Sequence, residues 1–175
     1  MRRLLREIYT QIILTESYLD VQVLVEIDSK QITTGAKRNK LLYRAVGKYV
    51  CYIDDDDHIL PDYVKSILDK IIEDSDCIAT TGYYSVNGGN KVKWKLSKSY
   101  ENVDGIENGE PMLYRKTNHL SPVKRELALT AQFPDKSNAE DKEYSERLNP
   151  LLKTESVIDI PIYYYDYSTH DKEYT

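Results

Sequence analysis

Phenylalanine and tryptophan are nearly missing from this chain, with one of each among 175 residues against 16 tyrosines. A core built on many large, purely apolar rings is excluded. Packing must rest on Leu, Ile and Val and on tyrosines, whose apolar bodies carry polar tips. Such a composition also suits a sugar-handling surface. Cysteine is scarce as well, limited to Cys51 and Cys77. That number excludes a disulfide framework, and no metal-type spacing exists. Both lie in β-forming runs and read as buried free thiols in a reducing compartment, which points to a cytoplasmic protein. Positive charge is the minority: 24 Lys+Arg against 29 Asp+Glu give a net charge of −5. General nucleic-acid binding therefore has no electrostatic footing. No apolar run approaches the length that crosses a bilayer. Arg6 and Glu7 interrupt the apolar stretch that a signal peptide would need after Met1-Arg2-Arg3. Repeats, low-complexity tracts and linkers are absent, and the length fits one domain with a proper core.

What is present alternates helix and strand. Leu4, Leu5, Ile8 and Ile12 share one face of a helix expected over 2–14. The run 21–27 (VQVLVEI) reads as a strand ending at Asp28. Thr34 is a candidate N-cap for a helix over about 35–46, with Gly47 as its stop. A second apolar strand is expected over 48–53. Pro61 suits the first turn of the next helix, along which Tyr63, Val64, Ile67, Leu68, Ile71 and Ile72 keep helical spacing. A strand over 77–86, the hairpin turn Asn87-Gly88-Gly89-Asn90 and a return over 91–96 follow. Residues 97–111 read as loop and 112–114 as a short strand. Short helices are expected over 122–129 and 138–148. Strands over 157–160 and 162–167, split by Pro161, close the sheet. The pattern implies an α/β fold with a mostly parallel sheet flanked by helices and a smaller antiparallel extension.

The strand over 48–53 runs straight into Asp54-Asp55-Asp56-Asp57. Ligands of open α/β sheets bind beyond the carboxyl ends of the strands. Neighbouring carboxylates repel by about 1 kcal/mol per close pair in water, and more when partly buried. A divalent cation would relieve that repulsion, and oxygen ligands suit Mg²⁺ or Mn²⁺ better than Zn²⁺. An acidic loop capping the next helix would use the same residues. If the strands ending at Asp28 and Asp54 are near neighbours, their acids meet at one edge. Gly35-Ala36-Lys37-Arg38-Asn39 opens a helix close by, and a basic helix start is a natural anion site; a solvated helix face is the plainer reading. Together these features suggest a diphosphate ligand.

The segment GAKRNKLLYRAVGKYVCYIDDDDHILPDYV resembles the centre of a family 2 glycosyltransferase of the GT-A (Rossmann-like) fold. The resemblance spans roughly 3–168. It implies a metal-dependent, inverting enzyme that moves a sugar from a nucleoside diphosphate donor, UDP-linked by expectation, to a glycan hydroxyl. By the same resemblance Asp54-Asp55-Asp56-Asp57 is the DxD-type motif. Asp56 is the foremost ligand for Mn²⁺ or Mg²⁺, Asp54 faces ribose or metal, and Asp28 lies near the nucleoside, with Lys37, Arg38 and Asp55 on the donor side. NHLSPVKRELAL, FPD and NAEDKEYSERL are similar to the acceptor-side segment, in which Glu140-Asp141 supplies the catalytic base, assigned to Asp141. His119 is a further candidate metal ligand. His58 is expected to point away, His170 falls in the tail, and Trp94 suits either sugar stacking or the core. The family's first strand has no counterpart here. It would lie between the strands ending at Asp28 and Asp54, so the fold is expected to be N-terminally truncated and donor binding to be weak or partner-dependent. Self-association is one way to fill such a gap. A non-catalytic sugar- or protein-binding relative is the alternative. A nucleotidyltransferase would want a Gly-rich basic loop after a first strand, and a phosphatase would leave Glu140-Asp141 unexplained.

Overall fold

The computed structural model describes residues 2–29 and 31–167; His170 lies outside them. Helix α1 (Arg2–Leu14) buries Leu4, Ile8, Gln11 and Ile12, the spacing expected from one apolar face. Helix α2 spans Thr34–Arg44. Its N-cap is Thr33, one residue before the expected one, and the Thr33 side chain accepts the Ala36 N–H. It stops at Ala45, before Gly47. Two-residue strands β1 (Tyr49–Val50) and β2 (His58–Ile59) bracket the acidic turn. After helix α3 (Tyr63–Ile71) come β3 (Cys77–Val86), β4 (Val92–Leu96), β5 (Val103–Glu107), β6 (Glu110–Arg115) and β7 (Val123–Lys124). Helices α4 (Arg125–Ala131) and α5 (Glu140–Leu148) follow. A 3₁₀ turn (Asn149–Leu151) leads into β8 (Glu155–Tyr167).

The sheet order is β1-β7-β3-β4-β6-β5, with β8 paired to both β3 and β2. Among the described residues only β3–β8 and β4–β6 are parallel; the other five pairings are antiparallel. This corrects the expectation of a mostly parallel sheet. The run 21–27 is the main reason. It is extended but belongs to no ladder, and among the described residues its amides from Gln22 to Ile27 make no backbone hydrogen bond. The strand expected over 48–53 pairs only at Tyr49 and Val50, and antiparallel. A β-forming sequence becomes a strand only where another backbone lies beside it. Side chains tether 21–27 to α2: Glu26 pairs with Lys40 and Arg44, and Gln22 accepts the Val46 N–H.

The stretch expected to be loop contains β5, which folds back on β6 through Asn108-Gly109, both at positive φ as a tight hairpin requires. Pro161 does not split β8. The strand runs through it with register irregularities between Ala79 and Gly82 of its partner, where a residue without an N–H is tolerated. Neighbouring residues of β3 face opposite sides of the sheet. Ile78 joins Leu4, Ile8, Ile12, Val64, Trp94 and Ile162 under α1 and α3. Cys77 joins Leu42, Val123, Phe133, Tyr144 and Leu148 under α2, α4 and α5. Each fully buried aliphatic side chain contributes roughly 1.5–3 kcal/mol. Trp94 is spent in the first core, where Gly82 is needed because a Cβ there would lie 2.2 Å from the indole.

Candidate active site

The site forms where β1 ends, α2 and α5 begin and β8 passes behind. Asp54 is held from three sides. Arg38 Nη2 donates to Oδ1 at 2.7 Å, His119 Nε2 lies 3.3 Å from Oδ2, and the Asp54 N–H donates to the Tyr163 hydroxyl at 3.3 Å. Burial opposes the charge on Asp54, yet the His119 contact and the Arg38 guanidinium outweigh it and hold the carboxyl well below the usual range. Arg38 is itself buried, and its Nη1 donates to Glu140 Oε1 at 2.8 Å. One guanidinium thus joins the acidic turn to the start of α5.

The surrounding contacts explain why Arg38 stays there. Its guanidinium lies over the Phe133 ring, 5.5 Å from the centroid, and Phe133 stacks on Tyr144. Next to it, Asn39 clamps Phe133 by donating to its carbonyl and accepting its N–H. The Tyr52 hydroxyl donates to the Arg38 carbonyl at 3.2 Å.

Asp57 is fully buried and accepts from the Tyr163 hydroxyl at 2.6 Å. Burial raises its carboxyl, the Tyr163 bond lowers it and the neighbouring aspartates raise it again, to about 7. Asp55 and Asp56 are exposed at the tip of the turn. Arg3 fixes the turn from α1 by donating to the Asp57 carbonyl at 2.7 Å. Neither Tyr163 nor Arg3 was expected at the site, and Asp57 was expected only as the last of the four acids of the motif. Nothing local marked Asp57 as the buried member of the four, nor Tyr163 or Arg3 as its neighbours. His58 packs its ring against that of Tyr164, with centroids 5.4 Å apart.

Asp28 stands apart from this network. Lys37 Nζ donates to it at 2.8 Å, and the Ile32 and Gln31 N–H groups also donate. Lys37 first and then these amides bring the carboxyl down to about 2. The expected anion cradle at the start of α2 is closed. The Thr34, Gly35, Ala36 and Lys37 N–H groups bond Ser137 Oγ, the Lys136 carbonyl, Thr33 Oγ1 and the Thr33 carbonyl. Gly35 permits that contact, since a Cβ would meet the Pro134 carbonyl oxygen at 1.9 Å. Lys37 and Arg38 likewise face carboxylates in place of a phosphate. The sequence showed a basic helix start but not the loop folded onto it.

Glu140 is buried against Arg38, whereas Asp141 is half-buried, with Oδ1 accepting the Lys142 N–H at 2.8 Å. Among the described residues no three His, Cys, Asp or Glu side chains gather tightly enough to form a metal cage. Mg²⁺ and Mn²⁺ bound with a phosphate ligand need no such cage, because one or two carboxylates suffice beside water and phosphate oxygens. Asp56, exposed beside an ionised Asp54, is a donor of that kind, so these residues fit the ion. No helix among the described residues is long and apolar enough to cross a membrane.

Solved structures of S. aureus TarS share the fold. TarS 1–349 in complex with UDP-GlcNAc aligns over 90% of this chain and 46% of its own, with a TM-score of 0.60 and 20% identity. Another structure of TarS 1–349 gives a TM-score of 0.57 at 22% identity, over 90% and 48% of the two chains. In sequence, the glycosyltransferase GlyA of Streptococcus pneumoniae serotype 4 (strain ATCC BAA-334 / TIGR4) is 33% identical over 99 residues, 53% of this chain but only 14% of GlyA. The chain thus spans a small part of GlyA and about half of TarS 1–349. The description of glycosyl transferase family 2 matches residues 9–129, well over half of the sequence, and the chain belongs to that family.

Proposed function

We propose that this chain is a metal-dependent, inverting glycosyltransferase that moves a sugar from a nucleoside diphosphate donor, UDP-linked, to a glycan hydroxyl. The observation that carries the reading is the Asp54–Arg38–Glu140 bridge, which ties the acidic turn to the helix start bearing Asp141. Asp56, with Asp54 behind it, would hold Mn²⁺ or Mg²⁺, whose charge would offset that of the departing diphosphate. His119, whose Nε2 lies 3.3 Å from Asp54 Oδ2, would position Asp54 or add a further ligand to such an ion. Asp28 and Asp55 remain candidates for the nucleoside side of the donor.

Asp141 is the base. Glu140 is buried and paired with Arg38, whereas Asp141 is half-buried with only Oδ1 engaged, by the Lys142 N–H, which favours Asp141 for the role. Asp141 takes the proton of the acceptor hydroxyl as the hydroxyl oxygen bonds to the anomeric carbon from the face opposite the diphosphate, whose bond to that carbon breaks, which inverts the centre. The exposed acids also account for the need of a counter-charge when a diphosphate arrives. Cys51 and Cys77 as free thiols fit a cytoplasmic setting. The unladdered 21–27 run supports a second reading, a domain that binds sugar or protein without transfer.

Calorimetric titration of UDP, with and without Mn²⁺, tests the first reading. Binding that needs Mn²⁺ and is lost in Asp56→Ala is expected. Absence of UDP binding under both conditions would sink it. Donor hydrolysis that disappears in Asp141→Ala separates a transferase from the binding domain.

A further inference from the structure

The acidic turn has two kinds of anchor. One kind grips carboxylates: Arg38 and His119 hold the Asp54 side chain, and Tyr163 holds that of Asp57. The other kind grips the backbone. The four aspartates form a turn closed by the Asp57 N–H, which donates to the Asp54 carbonyl at 3.2 Å, and Asp55 and Asp56 are exposed at its tip. Arg3 Nη2 donates to the Asp57 carbonyl at 2.7 Å and reaches the Asp56 carbonyl at 3.4 Å. Glu7, one helical turn further along α1, lies 3.7 Å from Arg3 Nε and steadies it. The same helix makes a second grip. Gln11 is buried, donates to the Leu60 carbonyl at 2.8 Å and accepts the Val64 N–H at 3.0 Å. Helix α1 thus holds the chain on both sides of β2, at the acidic turn and at the start of α3.

From this geometry we infer that Arg3 is a positioning residue for the metal and donor: it fixes the backbone at Asp56 and Asp57 and so sets the direction in which the Asp56 carboxylate leaves the turn. The inference rests on the glycosyl-transfer reading and adds a residue to its donor site. An exposed carboxylate holds an ion well when the backbone that carries it is already in place, because ordering left until binding weakens the complex. Arginine suits the task, since its planar fork serves two neighbouring carbonyls where a lysine ammonium is a single point. Two effects of Arg3 oppose each other here. Its charge lies beside the acids and repels an arriving cation. Its hydrogen bonds keep the turn in shape for that cation. The side chain is half-exposed, so water screens the charge, whereas the bond to the Asp57 carbonyl is partly buried and keeps its strength. Geometry therefore outweighs charge. The sign of the change on removing Arg3 separates them: lost geometry weakens ion binding, and lost charge alone tightens it.

Calorimetric titration of UDP with Mn²⁺, paired with native-state hydrogen exchange of the metal-free protein, tests the assignment in Arg3→Met, Arg3→Lys and Arg6→Met. Arg6 is exposed on α1 and makes no hydrogen bond or ion pair among the described residues. Arg3→Met is expected to weaken UDP binding with Mn²⁺ by about tenfold and to speed exchange of the Asp57 amide by about as much. The Val64 amide, held by Gln11, should keep its rate. Arg3→Lys, with the charge and one donor retained, should recover part of the affinity, and Arg6→Met should match the unaltered protein in both measurements. Unchanged or tighter binding in Arg3→Met would overturn the inference. Equal acceleration at Asp57 and Val64 would overturn it too, since the loss would then be a general loosening. If the unaltered protein binds no UDP with Mn²⁺, the donor reading fails and the inference with it; binding that is indifferent to Arg3 sinks the inference alone.

Discussion

Asp28 and Asp54 close two runs of similar β-forming residues, and they are held in opposite ways. Asp28 is held locally: Gln31, Ile32 and Lys37 lie three, four and nine residues away. Asp54 draws on Arg38, His119 and Tyr163, which lie 16, 65 and 109 residues away. A locally held acid is placed as soon as its own loop and the next helix form. An acid held by distant partners is placed only when the whole sheet has closed. Asp54 is therefore a reporter of the complete fold, and its geometry is the more readily lost.

Breaking the distant set should show the larger effects. Arg38→Met leaves a buried Glu140 and a half-exposed Asp54 without their shared cation, and removal of one partner from a buried ion pair costs about 3–5 kcal/mol. Urea unfolding should show that loss, near its lower end because Asp54 is partly solvated. The neighbouring Lys37→Met, which strips only Asp28 of its cation, should move the urea midpoint far less. Comparable losses in the two variants would end the distinction between them. Tyr163→Phe comes next. It removes the hydroxyl that donates to Asp57 and accepts from the Asp54 amide, and leaves buried Asp57 with one partner fewer at a cost of about 1–3 kcal/mol. Thermal unfolding at neutral pH measures it.

The same contrast can be read without substitution. Among the described residues, amides from Gln22 to Ile27 have no backbone acceptor, whereas those of Tyr52 and Asp54 donate to the His119 carbonyl and the Tyr163 hydroxyl. Native-state hydrogen exchange should find 22–27 among the fastest amides and Tyr52 slowed toward the global unfolding limit. Protection across 22–27 would mean that the run has found a strand partner in solution, and the antiparallel-rich sheet described here would then be incomplete.

What could be read from the sequence follows the same division. The helix over 2–14, the start of α5 near Glu140 and the Asn87-Gly88 turn were legible, because helical spacing and turn chemistry are local. So was the acidic cluster at the end of an apolar run. The fate of VQVLVEI was not legible, since its residues are as β-prone as those of β3 and only the presence of a neighbour separates them. β5 hid in a polar stretch, although Asn108-Gly109 carried a hairpin signal as clear as the one at Asn87-Gly88. Arg38 read as a cation for a phosphate because nothing near it in sequence announces Glu140, 102 residues later. Local chemistry thus identified the site's residue types, and distant contacts decided their partners.

The smallest expected effect is the pH response of the locally held acid. The Asp28 carboxyl sits at about 2 in the fold against 3.8 ordinarily. A depressed folded value means that the native state favours the ionised form. The stabilisation is complete above about 4 and disappears as pH falls toward about 2. Asp28→Asn should therefore be slightly less stable than the unaltered protein at neutral pH, and the gap should close in that acid window. The gap stays small because the Lys37 side chain is partly exposed and water screens its pairing with Asp28. A gap that persists below about pH 2 would show that Asn fails for its shape, through the Gln31 and Ile32 amides it must still satisfy, and not for its missing charge.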